Sequence, residues 1–223
     1  MKEIVLDTET TGISVKEGHR VVEIGCIELD NLIPTKKNFH CYLNPERKVS
    51  EKAFEIHGYT DDFLNKQNKF ANIKDKFLSF IKNKRLIIHN ADFDITHINN
   101  ELLLCGENKI DNEIVDTLKL ARDKFPGSQV SLDALCKRYK ISIEAREKHS
   151  ALLDCHLLSK VYIELIDKKE LTLDLMSNDK IFNEKMKLSN ENREGIVVKV
   201  SPEQMEEYKK FLKKNVSNAF ALD

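Results

Sequence analysis

Long apolar runs, net charge and paired cysteines are all scarce in this 223-residue chain, and each scarcity removes a class of protein. No stretch is apolar enough to span a bilayer, and no signal-like segment follows the acid-containing start, so the cytoplasm is the expected location. The formal net charge of −1 argues against a broad polyanion-binding face, which would need many Lys and Arg contacts to phosphate. Any grip on nucleic acid must therefore be local. Cys26, Cys41, Cys105, Cys136 and Cys155 are odd in number and contain no C-x-x-C pair, which argues against a disulfide framework or a zinc knot and for buried, reduced thiols. With 41% hydrophobic and 33% charged residues, the composition is that of a globular chain able to bury a sizeable core.

The most informative stretch is Ile4-Val5-Leu6-Asp7-Thr8-Glu9-Thr10-Thr11-Gly12. It reads as a buried strand that ends in two acids. Side chains alternate across a strand, so Asp7 and Glu9 share one face and Thr8 takes the other. Gly12 is expected to make a left-handed turn that ends the strand. Two carboxylates this close repel, and one would stay protonated unless a divalent cation sat between them.

Val21 to Leu29 and Phe39 to Leu43 read as two further strands, joined through Asp30-Asn31 into an antiparallel meander with the first. Thr60 is placed to cap a helix opening on Asp61-Asp62, and Phe70, Ile73, Phe77, Leu78 and Ile81 recur at helical spacing. Arg85 to Ile88 is a short strand, and His89-Asn90-Ala91-Asp92-Phe93-Asp94 opens a helix with Ile95, Ile98, Leu102 and Leu103 on its apolar face. Ile114 to Asp116 is a last short strand. Helices follow around Leu118 to Lys124, from Ser131 to Tyr139, and from Ser150 to Ile166. A meander followed by strand–helix alternation predicts a mixed sheet flanked by helices. Residues 176–194 are polar, without sustained period, and read as a partly disordered linker. Beyond them, Gly195 to Val200 reads as a strand and Ser201-Pro202-Glu203-Gln204 as a helix start with Met205, Tyr208, Phe211 and Leu212 in one stripe. One strand and one helix cannot cover that stripe, so the appendage is expected to dock on another protein.

Three acidic patches stand out: Asp7 with Glu9, Asp94 or Asp92 at a helix start, and Asp154 inside a late helix near His149. Together they suit a pair of hard cations about 3.5–4 Å apart, of the kind that stabilises the attacking and leaving oxygens of a phosphodiester. The lack of clustered Cys and His ligands favours Mg²⁺ or Mn²⁺ over zinc. On one continuous helix, His149 and Asp154 would point about 140° apart. His149 must therefore lie before the helix, with Ser150 as its cap, where it could act as general base toward a water. His19, His40, His97 and His156 read as ordinary surface or core residues.

The segments Asp7-Thr8-Glu9-Thr10-Thr11-Gly12, His89-Asn90-Ala91-Asp92-Phe93-Asp94 and His149-Ser150-Ala151-Leu152-Leu153-Asp154 resemble, in order and spacing, the three motifs of the DEDD nucleases in their His-containing branch. With Phe125-Pro126-Gly127 and Ser131 to Cys136, residues 1–168 look most similar to the proofreading epsilon subunits of bacterial DNA polymerase III. The resemblance implies a ribonuclease H-like α/β fold with a five-stranded sheet and removal of mononucleotides from a single-stranded 3′ end of DNA. It makes Asp7, Glu9 and Asp154 ligands of one ion, with Asp7 shared with a second ion that Asp94 supports through water, and His149 the base. Ile56-His57-Gly58 resembles the family's contact with the terminal nucleotide, so His57 joins Asp7, Glu9 and Asp154 as a substrate-binding candidate. Asn90 is expected to fix its turn. Asp94 is preferred to Asp92 because it follows Phe93, and Lys52 stands where related subunits often carry an acid. The resemblance divides the chain into an exonuclease domain at 1–168, a linker at 169–194 and a segment at 195–223 that binds the polymerase alpha subunit. Glu170 to Leu175 looks like the family's sliding-clamp peptide, with Glu170 in the usual Gln position. Two rival readings are a stand-alone exonuclease acting on RNA or DNA, and a scaffold joining polymerase and clamp.

Overall fold

The structure is a computed structural model that describes residues 2–143, 148–167 and 201–215, with the side chains of 167 and 211–215 left aside. Five strands form one mixed sheet in the order β3-β2-β1-β4-β5. β1 (Lys2–Thr10) pairs antiparallel with β2 (Val21–Asp30), and β2 with β3 (Ile33–Tyr42). β1 also pairs parallel with β4 (Arg85–Ile88), which pairs parallel with β5 (Ile114–Asp116). The β2–β3 hairpin turns on Asn31 and Leu32, both at positive φ (50° and 67°), the signature of a two-residue turn that matches strand twist. That tight turn starts β3 at Ile33, six residues earlier than its apolar pattern suggests. Pro34, Lys36 and Lys37 are tolerated because β3 is an edge strand.

β1 is central, and its alternation decides what each face meets. Ile4 and Leu6 pack with Ile24, Leu86 and Ile88 against α3 (Phe70–Ile81) and α4 (Ala91–Leu104). Val5 packs with Ile27 and Ile87 against Cys155, Leu158 and Tyr162 of α7 (Ala151–Asp167). Both faces of the strand are thus covered, as expected where parallel pairing demands helices above and below. α1 (Glu51–His57) and α2 (Asp61–Leu64) start on the side chains of Ser50 and Thr60, which accept N–H bonds from Ala53 and Phe63. α5 (Thr117–Lys124) and α6 (Leu132–Arg138) are capped by Asp116 and Ser131 and pack on the outer side of α7. On α4, Ile98 and Leu102 are buried as expected, but Leu103 is exposed. Cys26, Cys136 and Cys155 are buried, reduced thiols; Cys41 and Cys105 are only half-buried.

The chain forms two compact units, Met1–Glu170 and Leu171–Asp223. In the second, α8 (Pro202–Asn215) begins with the expected capping box: the Gln204 N–H donates to Ser201 Oγ at 3.3 Å, and the Ser201 N–H donates to Gln204 Oε1 at 3.2 Å. Met205 and Tyr208 are exposed. The expected strand at 195–200 and the expected clamp peptide at 170–175 lie outside the described residues. Among the described residues no helix is long and apolar enough to cross a membrane.

Candidate active site

The end of β1 brings the site together. Asp7 and Glu9 project toward α7 from the same face, and the first turn of α7 carries Asp154, 4% exposed. One ligand atom each from Glu9, His149 and Asp154 lie within 4.8 Å of one another. His149 sits on the irregular stretch just before α7, with Nδ1 at 3.2 Å from Asp154 Oδ2. Its N–H donates to Ile56 O at 3.2 Å, which ties the stretch to α1. His149 thus lies off the helix, as the spacing requires.

Asp94 arrives from the start of α4. Thr8, on the opposite face of β1 from Asp7 and Glu9, donates its hydroxyl to Asp94 Oδ1 at 2.7 Å, so the residue between the two acids holds the third. Asn90 takes a left-handed conformation (φ 69°) at the β4–α4 corner, and its N–H donates to Asp116 Oδ1. It fixes the turn, as expected. Asp92 is exposed and lines a separate surface cavity with Asp116 and Lys119.

The acids perturb one another. Burial pushes the Asp7 carboxyl well up, and the nearby charges of Asp94, Glu9, Asp154 and Glu23 push it further. Burial also raises Asp94 to about 7, against the downward pull of the Thr8 hydroxyl. A cluster this costly to ionise in the bare protein is relieved by a divalent cation.

Beside Glu9, a cavity of about 440 Å³ is lined by Gly12, Ile13, Lys52, Ile56, His57 and Phe93 among others. His57 closes α1; its Nδ1 accepts the Tyr59 N–H at 3.0 Å, its ring stacks on Tyr59, and burial lowers its pKa. Ile13 is 80% exposed at this cavity. Gly12 departs from expectation: it has no left-handed turn. A Cβ there would lie 2.3 Å from the His19 ring, so close imidazole packing is what demands glycine. The loop carrying Gly12 and Ile13 is pinned by His97 Nε2 on Ile13 O (3.1 Å), by His19 Nδ1 with Thr11 Oγ1 (3.0 Å), and by Arg20 in a two-pronged bond to buried Glu101 (2.6 and 2.7 Å). His19 and His97 therefore shape the cavity rim, a role that only long-range contacts disclose.

Ser150 also departs from expectation. Its hydroxyl does not cap α7 but donates to Glu23 Oε1, and Glu23 Oε2 accepts the Ala151 N–H, both at 2.9 Å. The cap is a carboxylate from β2.

Residues 4–162 match the exonuclease family. Over 99% of both chains this one is 41% identical to the DNA polymerase III subunit epsilon of Rickettsia conorii. It is 44% identical to that of Salmonella typhimurium, over 74% of this chain and 71% of the relative. The chain belongs to the exonuclease family, in its polymerase III epsilon branch. Solved structures agree on the fold: the nuclease domain of 3′hExo, a DEDDh family member, superposes with a TM-score of 0.66 at 17% identity over 75% of this chain and 92% of that one. Exonuclease X bound to duplex DNA with a 5′ overhang superposes at 0.60 and 24% identity, over 78% and 97%. Membership meets the expectation of a divalent-metal-dependent 3′–5′ exonuclease of the proofreading class on a ribonuclease H-like fold.

Proposed function

We propose that this epsilon-type chain hydrolyses the terminal phosphodiester at a mispaired, single-stranded 3′ end of DNA, as the proofreading partner of the polymerase III alpha subunit in the cytoplasm. The observation that carries the reading is the convergence of four acids from β1, α4 and α7 beside one imidazole outside the helix. The donor set suits Mg²⁺ or Mn²⁺, with Asp7, Glu9 and Asp154 holding one ion and Asp7 and Asp94 serving a second. When bound, two such ions supply positive charge to the scissile phosphate and to both its reacting oxygens.

The chain's own groups do the rest. With its proton on Nδ1 directed at Asp154, His149 leaves Nε2 to take the proton of the attacking water. Its 45% side-chain exposure leaves it room to approach that water. His57, neutral because buried, contacts the terminal nucleotide through the cavity beside Glu9, and Phe93 offers a flat face and Ile13 apolar surface to its base. Residues 1–168 are the exonuclease domain, 169–194 a linker whose residues 170–175 are offered to a clamp, and 195–223 the segment for alpha.

The test is digestion of a 3′-mismatched primer titrated with Mg²⁺ or Mn²⁺, with and without alpha, alongside a matched RNA. Asp7→Ala and Asp154→Ala should abolish cleavage; substantial residual activity in Mg²⁺ would defeat the mechanism. Faster cleavage of the RNA would overturn the proposed substrate, and truncation at 168 should lose alpha while keeping cleavage.

A further inference from the structure

One buried carboxylate beside the site has no part in the reaction as derived above. Glu23 lies in β2 with 0% exposure and accepts four hydrogen bonds from three parts of the chain. His40 Nε2 of β3 donates at 2.7 Å and the Tyr59 hydroxyl, just past α1, at 2.7 Å. The Ser150 hydroxyl and the Ala151 N–H, where α7 begins, each donate at 2.9 Å. Burial would raise this carboxyl, but the bonds from His40, Ala151, Tyr59 and Ser150 outweigh it and hold the pKa below its ordinary value. The group is therefore a fixed anion.

Its place in the register gives the network a purpose. Glu23 faces Glu9 across the β1–β2 pair, and Gly25 faces Asp7. Gly25 is where α7 touches the sheet: a Cβ there would lie 2.5 Å from the Ala151 carbonyl carbon, and Cys155 Sγ bonds Gly25 O at 3.1 Å. The two residues opposite the β1 acids are thus the two that seat the first turn of α7. His149 immediately precedes Ser150, and the Asp154 N–H bonds Ser150 O at 2.9 Å.

We propose that Glu23 is a positioning residue for the hydrolysis: by anchoring Ser150 and the Ala151 N–H it fixes where α7 begins, and so sets the reach of His149 on one side and Asp154 on the other. The proposal rests on the roles given to His149 and Asp154 above. Four donors converge on two oxygens, which an ionised carboxylate satisfies and an amide of the same shape does not, because the amide turns its own donors toward two of them.

Glu23→Gln is the direct test, in the full-length protein on a 3′-mismatched primer. Since displacements of about 1 Å at reacting groups cost on the order of 10²-fold, kcat should fall by roughly that factor, with KM for the primer changed less than about threefold. In a His149→Ala background the further loss should shrink to below about tenfold, because the two changes act through one geometry. A merely architectural role predicts wild-type kcat per folded molecule, with folding measured by circular dichroism, and full additivity with His149→Ala. Either result overturns the proposal. Should Glu23→Gln fail to fold, Ser150→Ala removes one donor from the α7 side and leaves the carboxylate in place. It should lower kcat about threefold to tenfold, on the same geometric ground, at unchanged melting temperature, and wild-type kcat would overturn the proposal. Full activity in Glu23→Gln with inactive His149→Ala and Asp154→Ala defeats the positioning role alone; full activity in all three defeats the active-site assignment itself.

Discussion

Asp94→Asn should stabilise the metal-free protein while destroying its activity, and the size of the gain should depend on pH in a calculable way. Burial lifts the Asp94 carboxyl from an ordinary 3.8 to about 7. A group whose folded pKa exceeds its unfolded pKa contributes stability below the unfolded value and loses it as pH rises through the folded one, here between about pH 4 and 7. Compared with Asn, which never ionises, Asp94 therefore weighs on the bare fold more at pH 8 than at pH 6. Between those pH values the factor 1 + 10^(7−pH) changes tenfold, worth on the order of 1 kcal/mol. For a chain of this length that is about 2–4 °C in Tm. Relief of Asp7, which Asp94 also pushes up, acts in the same direction. His57, His89, His97 and His156 are held below 6.5 by burial and lower wild-type stability as pH falls. They are present in both proteins, so the quantity to read is the Tm difference between variant and wild type. The assay is thermal unfolding followed by circular dichroism in EDTA at pH 6, 7 and 8. The Thr8 hydroxyl retains an acceptor in Asn Oδ1, so that bond does not bias the comparison. A difference that stays constant from pH 6 to pH 8 would refute the idea that crowded, desolvated carboxylates are what the cation relieves. Saturating Mg²⁺ should raise Tm in the wild type and much less in the variant.

Three further outcomes follow from the same geometry. His149→Ala should lower kcat by about 10²–10⁴-fold while leaving Mn²⁺ affinity, read by calorimetry, much less affected. Gly25→Ala, which drives a methyl into the backbone of Ala151, should destabilise by about 1–3 kcal/mol in urea unfolding and lose activity by tilting α7 off its seat. Arg20→Ala leaves Glu101, 1% exposed, as an unpaired buried charge and should cost about 3–5 kcal/mol, whereas Arg20→Ala with Glu101→Gln should recover much of it in the same assay.

Much of the site was legible because its signals are local. The alternation of β1 placed Asp7 and Glu9 on one face, the helix period forced His149 off α7, and the strand-to-helix corner at Asn90 put an acid at the start of α4. Choosing Asp94 over Asp92 needed the family's motif; in the structure Asp94 is buried and bonded by Thr8, whereas Asp92 is exposed. What stayed hidden depends on register. Glu23 and Gly25 sit in an ordinary strand pattern, and only their pairing with Glu9 and Asp7 shows that they carry α7. Ser150 has the right identity and position for a cap, yet a carboxylate more than a hundred residues away takes that role. Gly12 suggested a turn because glycine most often answers to backbone freedom, whereas here it answers to the space that His19 occupies. The early start of β3 was masked by Pro34 and two lysines, residues that an edge strand accepts and an interior one would reject.

The fold also divides the site into parts that must stay still and a part that must not. α7 is fastened to the β1–β2 pair at three levels: Glu23 and Gly25 at its first turn, Cys155 and Leu158 on Val5 and Ile27 in the middle, and the Tyr162 hydroxyl on Glu3 at 3.0 Å farther along. Asp154 is inside that fastened length, and Asp7 and Glu9 are on the strand it is fastened to. On the proposed roles, the charges that would gather cations are therefore fixed relative to one another before any ion arrives, which is what electrostatic preorganisation requires. His149 lies one residue outside the fastened length, with a backbone bond to Ile56 and a contact with Asp154. A base has to move with its proton while a cation cage has to resist moving. The boundary between the two falls at Ser150, where Glu23 takes hold.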